Sequence, residues 1–466
     1  MLAQGTQGLC ASKANRLRAH LLAQLVCLGR HTLTGLLATN GQLHRDWSAD
    51  YRLYSQRRID AAALFGSIRR GAQQSLAQEE ALTVAMDDSI LRKSGRQIPG
   101  VGYRRDPLSP PFHVNFVRGM RFVQLSALVH QADGFCRMIP IDFQQAPLPA
   151  RPAPNASLEQ QQQYKTALGA ANINRLGLER VDALRQQLDH EPEASSPRHL
   201  RLVVDGRFTN ATLLKNLPAN TTLIGRIRRD AKLFFLPQGQ AATGRKRLYG
   251  QSAPTPEELL KDTSLEFQLV QAQLGARSCQ FSVKVLRPLR ALQAGGQKNL
   301  QLLVIAPLGY RLRKGSKLLY RQPAFLVCTD PTLSIQALLQ SYLWRWDIEV
   351  NFRDQKTLLG IGQAQLRNPQ SVQSQPAVAV AAYGLLLLAA AQANLKALSQ
   401  PKWRPHSEPR RLSTASLINL LRHELWNASI KEPFTHFRSN QPHDHNPQKL
   451  QPHLRSPYFM LLHDPI

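Results

Sequence analysis

The chain of 466 residues carries 59 lysines and arginines against 31 aspartates and glutamates, a formal net charge of +28, and 43% of its residues are hydrophobic. That hydrophobic content excludes wholesale disorder, and the length suits about two to four domains or one large domain with an insertion. A charge excess of this size repels itself in a folded protein, so a polyanionic partner is expected. Nucleic acid is favoured over an anionic membrane, because the basic residues are scattered along the chain rather than gathered on one amphipathic helix. The five cysteines are isolated and form no CxxC pair, which argues against a zinc knuckle or a disulfide framework and fits a reducing cytoplasm. The N-terminus lacks an apolar signal core.

Residues 1–80 read as helical, with apolar residues at helical spacing in LRAHLLAQLVCLGRHTLTGLLATNG and IDAAALFGSIRR. This arginine-rich region suits a small DNA-binding unit or a helical cap on the main domain. LTVAMDD (82–88) is a short apolar run ending in two aspartates, and FHVNFVRGMRFVQLSALVH (112–130) alternates like a strand around a break at Arg118-Gly119. Together they predict the opening hairpin of a mixed sheet. The Pro- and Gln-rich stretch 144–163 reads as a linker, followed by a helix over 164–189. HLRLVVDGRFTN predicts a second buried strand ending at Asp205. Residues 215–322 hold many short β-like segments separated by glycine and basic residues, a β-rich insertion dividing 81–214 from 323–395. AFLVCTDP predicts a buried strand and residues 333–360 one long helix. AVAVAAYGLLLLAAA (377–391) falls short of the roughly 20 residues a membrane span needs and reads as a core helix. The last region, 396–466, is basic with one helix around STASLINLLRHEL. Its His-rich stretch 436–453 has irregular spacing and reads as a mobile tail rather than a metal site.

Three acids stand out. Asp87 and Asp205 each close a buried strand, where a carboxylate is costly unless paired or bound to a cation and where open α/β sheets place ligand sites. In YLWRWDIEVNFRDQK (342–356), Tyr342, Arg345, Glu349 and Lys356 fall within about a sixty-degree arc of one helix face at about 100° per residue. A carboxylate flanked by these donors suits a phosphate-handling site, with the glutamate on a metal and the others on phosphodiester oxygens. Alone, such a stripe is more often a solvated, salt-bridged helix face, and a strand-end aspartate a turn former or cap. The combination with the +28 charge outweighs these readings.

The order Asp, Asp, Glu, with the glutamate inside Y-x2-R-x3-E-x6-K, resembles the DDE transposases of bacterial insertion sequences, in the branch named for its YREK signature. MDDSILRKSG resembles the first family motif, D-x-[S/T], and selects Asp87, with Asp88 as the alternative. VVDGRFTN resembles the second and selects Asp205. The resemblance spans about residues 82–370 and implies an RNase H-like mixed sheet flanked by helices, interrupted by a mainly β insertion and preceded by a helical domain. It implies that Asp87, Asp205 and Glu349 hold two divalent ions about 3.5–4 Å apart, Mg²⁺ with Mn²⁺ able to substitute. It also implies cut-and-paste transposition: cleavage at transposon ends, a hairpin step and transfer of a 3′-hydroxyl into target DNA by a homodimer, in the cytoplasm at the nucleoid. Arg345 and Lys356 would position phosphates and Tyr342 the cut strand. The basic loops RIRRDAK (226–232), with Arg226, Arg228 and Arg229, and GRKR (244–247), with Arg245, Lys246 and Arg247, would grip duplex DNA, as would YRLRKGSK (310–317). A base-stacking role would fall to Phe234, Phe235 or Tyr249. A catalytically silent DNA-binding protein on the same scaffold is the rival reading, and a carboxylate-pair sugar hydrolase is disfavoured by charge.

Overall fold

The computed structural model describes residues 9–56, 58–77, 79–106, 109–110, 112–131, 135–191, 197–239, 246–275, 277–295, 298–313, 315–393 and 411–430, so the His-rich stretch 436–453 and Arg245 lie outside the described residues. Helices α1 (Ala11–Val26), α2 (Leu33–Thr39), α3 (Ser48–Ser55) and α4 (Ala61–Gln73) come first. Thr32 caps α2 by accepting the Gly35 N–H, and Asp60 caps α4 by accepting those of Ala62 and Ala63. Their apolar faces, Leu17, Leu21, Leu64 and Phe65 among them, are buried in one cluster with sheet residues. The N-terminal helices thus share a core with the rest of the chain.

Next come β1 (Leu82–Arg92), β2 (Gly102–Arg105), β3 (Phe116–His130), β4 (Cys136–Ala146), α5 (Leu158–Ala170), α6 (Ile173–Asp189), β5 (Leu200–Val204), α7 (Ala211–Lys215) and β6 (Thr221–Arg226). The strands lie in the order β4-β3-β1-β5-β6, antiparallel from β4 to β1 and parallel from β1 to β6. This is an RNase H-like sheet in a mixed α/β fold, with β2 added on the edge of β3.

The β-rich segment supplies β7 (Phe234–Phe235), α8 (Pro256–Lys261), β8 (Gln268–Leu274), β9 (Arg277–Arg290), β10 (Leu300–Ile305), β11 (Gly309–Tyr310), β12 (Leu319–Tyr320) and β13 (Ala324–Cys328). It does not form a sheet of its own. β13 pairs with β6, β10 with β13 and β9 with β10, so the central sheet continues into it, and among the described residues only the β11–β12 hairpin stands apart. After β13 come α9 (Ile335–Arg345), α10 (Asp347–Thr357), α11 (Pro369–Gln392) and α12 (Thr414–Ile430).

Four local expectations change. The strand LTVAMDD does not stop at its aspartates: β3 stays paired from Val84 through Arg92, which carries β1 five residues past Asp87. Arg118-Gly119 is no break; a Cβ at Gly119 would come within 2.5 Å of the Leu91 carbonyl oxygen, so glycine permits close strand pairing there. The stretch 144–163 holds the end of β4 and the start of α5, whose Ser157 and Gln160 form a capping box, and the helix expected over 164–189 is two helices. Finally, the long helix over 333–360 divides at Trp346, where Trp346 N–H donates to Leu343 and Glu349 N–H to Trp346 in tight three-residue steps. Leu338 and Leu339 of α9 pack with β8, β9, β10 and β13 residues, whereas Ile348 and Phe352 of α10 pack with Ala85, Leu128 and Met138. One straight helix would not follow both regions of a twisted sheet.

α11 is, among the described residues, the one helix long and apolar enough to cross a membrane, and 94% of its most apolar window is buried inside the protein. It is the expected core helix. On the opposite face α6 lies close to the sheet, with Gly177 against Met86 and Phe208. Gly225 of β6 faces Thr209, and a Cβ there would meet Thr209 Oγ1 at 2.1 Å. That hydroxyl donates to the Asp205 carbonyl at 2.8 Å. Gly225→Ala is therefore expected to displace the 205–209 turn and cost about 1–3 kcal/mol of stability, as read by urea denaturation.

Candidate active site

The parallel pairing of β1 and β5 ends at Met86 opposite Val204, so Asp87 and Asp205 occupy the next position on neighbouring chains. Asp87 continues the side of β1 that carries Ala85, which packs beneath Ile348 and Phe352 of α10. The pleat thus turns Asp87 toward the helix that carries Glu349. Arg345 joins them: its Nη1 donates to Asp87 Oδ2 at 3.2 Å and its Nη2 to Glu349 Oε1 at 3.2 Å. The Tyr342 ring lies 5.5 Å from the guanidinium carbon.

Charge balance governs this site. Burial and the neighbouring Asp205 push the Asp87 carboxyl up to about 7, against the pull of Arg345 and the Asp88 N–H. Burial works against the charge on Arg345, but Tyr342, Asp87, Glu349 and Asp205 outweigh it and raise its pKa. Asp205 holds the following turn through Oδ1, which accepts the N–H groups of Arg207 at 3.0 Å and Phe208 at 3.3 Å.

Asp88 points to the other side of the strand. Arg121 Nε sits 2.6 Å from its Oδ2 and Arg207 Nε 3.4 Å from its Oδ1. Lys356 lies about two turns beyond Glu349 on α10. It is exposed, yet the protein around its ammonium and the nearby Arg92 lower its pKa, with Asp88 opposing. Of the stripe seen in the sequence, Arg345 joins Asp87 to Glu349 and Tyr342 lies beside Arg345.

Among the described residues, no three acids, histidines or cysteines stand close enough together to hold a metal ion. The guanidinium of Arg345 lies between Asp87 and Glu349 instead. The residues nonetheless fit a divalent cation. Every available donor is a carboxylate oxygen, the hard ligand that Mg²⁺ and Mn²⁺ take. Asp87 and Asp205 repel each other in a buried place, a charge pattern that a bound cation relieves. Arg345 also keeps a buried Nε–H with no hydrogen-bond partner, a donor free for an incoming oxygen.

A family model for the DDE superfamily endonucleases matches residues 6–281, more than half of the chain. The chain belongs to this family. No curated protein matches it. The matched DDE region contains Asp87 and Asp205 and ends before Glu349, so the third acid rests on the geometry above and on its motif.

The DDE core presents a second feature beside Asp205. A cavity of about 1080 Å³ opens between the turn after β5 and the insertion, lined by Gly206, Thr209, Arg226, Arg228, Lys232 and Phe325 among others. Two of the loop arginines are partly satisfied: Arg228 forms a bidentate pair with Asp230, and Arg229 approaches Glu257 at 3.5 Å. Lys246 and Arg247 are exposed. Phe234 and Tyr249 pack ring to ring at 5.3 Å.

Sequence reasoning missed several supporting residues. Arg121 and Arg207 neutralise Asp88, and Gln355 donates to Gln124, the residue opposite Asp87 on β3, at 2.8 Å. Arg207 stood within the quoted VVDGRFTN motif, but Gln124 and Gln355 carried no local signal.

The raised Asp87 pKa has a defined sign. The folded chain holds that proton more tightly than the unfolded one, so ionising Asp87 costs stability from about pH 4 upward, fully above pH 7. In metal-free protein, Asp87→Asn is expected to raise the melting temperature at pH 8 by a few degrees, with the gain vanishing near pH 4, as scanning calorimetry would read.

Proposed function

We propose that this DDE superfamily endonuclease is the transposase of a bacterial insertion sequence in the YREK branch, cutting DNA at transposon ends and joining the 3′-hydroxyl to target DNA. What supports the reading is Arg345, which bonds both Asp87 and Glu349 while Asp205 acts on the neighbouring Asp87, so that acids from three separate elements of an RNase H-like fold meet its influence. Asp87, Asp205 and Glu349 would hold two divalent cations, Mg²⁺ or Mn²⁺. When bound, these supply an activated nucleophile and charge stabilisation on the leaving oxygen.

The remaining chemistry belongs to the chain. Arg345 offers a planar set of donors, one of them unsatisfied, to a phosphodiester oxygen. Tyr342, beside it, would orient the cut strand. Lys356 would meet phosphate further along the strand. Asp88, neutralised by Arg121 and Arg207, keeps the outer side of β1 charge-balanced and leaves Asp87 as the first metal ligand. The cavity lined by Arg226, Arg228 and Lys232 would receive the DNA backbone beside Asp205, with Arg229, Arg245, Lys246 and Arg247 extending that contact. A homodimer acting on paired ends, in the cytoplasm, completes the reading.

One observation favours the rival, a catalytically silent DNA-binding protein: a guanidinium rather than open space separates Asp87 from Glu349. Cleavage decides between them. On DNA carrying the element's ends, wild-type protein with Mg²⁺ should nick at the end, and Glu349→Ala should lose more than about a hundredfold in rate. Equal cleavage by both proteins, or none by the wild type, removes the proposed role. For the cavity, the Arg226→Ala/Arg228→Ala double variant should flatten the log–log salt dependence of DNA affinity by about two, one per phosphate contact. Fluorescence anisotropy across a salt series measures it.

A further inference from the structure

Beyond the matched family region, the segment that precedes α12 returns to the helix carrying Glu349. Arg411 makes a bidentate pair with Asp347, the first residue of α10: Nη2 to Oδ1 at 2.7 Å and Nη1 to Oδ2 at 3.0 Å. The same Nη1 donates to the Cys136 carbonyl at 2.7 Å, and Asp347 Oδ2 also accepts the Met138 N–H at 2.9 Å. Three residues on, the buried Thr414 hydroxyl donates to Asp354 Oδ2 at 2.6 Å. Between the two, Arg137 of β4 donates to the Leu412 carbonyl.

The spacing fits. Asp347 and Asp354 lie seven residues apart, about 10.5 Å along a helix axis. Three residue steps of extended chain, from Arg411 to Thr414, reach about 10 Å. The segment therefore lies along the two turns that contain Glu349 and grips the helix at both ends. Beyond it, Arg422 of α12 donates to the carbonyls of Val26 and Cys27 at the end of α1, which anchors the clasp to the N-terminal helices.

We propose that residues 411–414 form a clasp that sets the position of Glu349 against Asp87, with Arg411 as its principal positioning residue. Arg411 touches no reacting atom. It acts through Asp347, two residues before Glu349, by locking the first turn of α10 to the edge of β4. The proposal rests on the reading of Glu349 as a catalytic acid. A misplacement near 1 Å from a residue remote from the chemistry costs on the order of a hundredfold in rate.

The test uses the full chain and two readouts. Hydrogen exchange of the amides of residues 348–356 reports the clasp without any cleavage, and single-turnover cleavage with Mg²⁺ at saturating end DNA reports its effect on chemistry. Arg411→Ala should quicken exchange in α10 and slow cleavage about ten- to a hundredfold, while metal-free DNA affinity changes less than twofold. Methylguanidinium in the buffer should restore part of the rate, which a merely structural lesion would not show. Thr414→Val, close in volume, should do the same more weakly and serves if Arg411→Ala fails to fold. Unchanged α10 exchange in Arg411→Ala or Thr414→Val overturns the clasp, as does faster exchange with wild-type cleavage, or a loss confined to DNA affinity. Glu349→Ala separates the two claims: if it cleaves like wild type, the catalytic reading of Glu349 has failed, whatever Arg411 does to exchange.

Discussion

A carboxylate set largely out of water on the central strand of a sheet is costly to ionise unless a cation stands beside it, and the surroundings of Asp87 answer to that constraint. Asp205 makes the demand worse, because the β1–β5 register sets both acids at the same level of neighbouring strands. Arg345 meets it in part, reaching from the end of α9 to hold Asp87 and Glu349 together. The result is two acids joined through one arginine, with a third acid acting on the first.

The helix bearing Glu349 is fixed to the sheet largely through polar groups. Asn351 Nδ2 donates to the Met138 carbonyl at 2.8 Å, and Tyr383 of α11 donates to Asn351 Oδ1 at 3.1 Å. Gln355 reaches Gln124, and Gln124 in turn reaches Ser126 at 3.0 Å. These amides and hydroxyls are buried. Directional bonds of this kind specify one rotation and one height of the helix, where an apolar stripe would tolerate sliding.

Much of this was legible in the residues. The β-type runs from TTLIGRI to KLLYR are strands, AFLVCTDP is β13, and the long apolar run is the core of α11, because period-2 alternation and unbroken apolar runs report burial directly. The convergence of Tyr342, Arg345 and Glu349 followed from helical spacing, since those residues lie within about two turns. What the local pattern missed depends on partners distant in sequence. β1 outlasts its aspartates because β3 pairs with it, and 333–360 bends because its two halves meet different parts of a twisted sheet. Gln124, Arg121 and Arg411 were invisible for the same reason: an isolated polar residue carries no signal until the chain brings its partner to it.

The seam between β6 and β13 has a mechanical meaning. Because β13, β10 and β9 continue the hydrogen-bonded ladder of β1, β5 and β6, the cavity beside Asp205 cannot swing as a hinged arm would. Each step across that ladder is about 4.8 Å, so three steps from β6 to β9 fix a span of about 14 Å. Whatever the cavity holds is therefore kept at a spacing from Asp205 that the hydrogen-bonded ladder, and not a loop, sets.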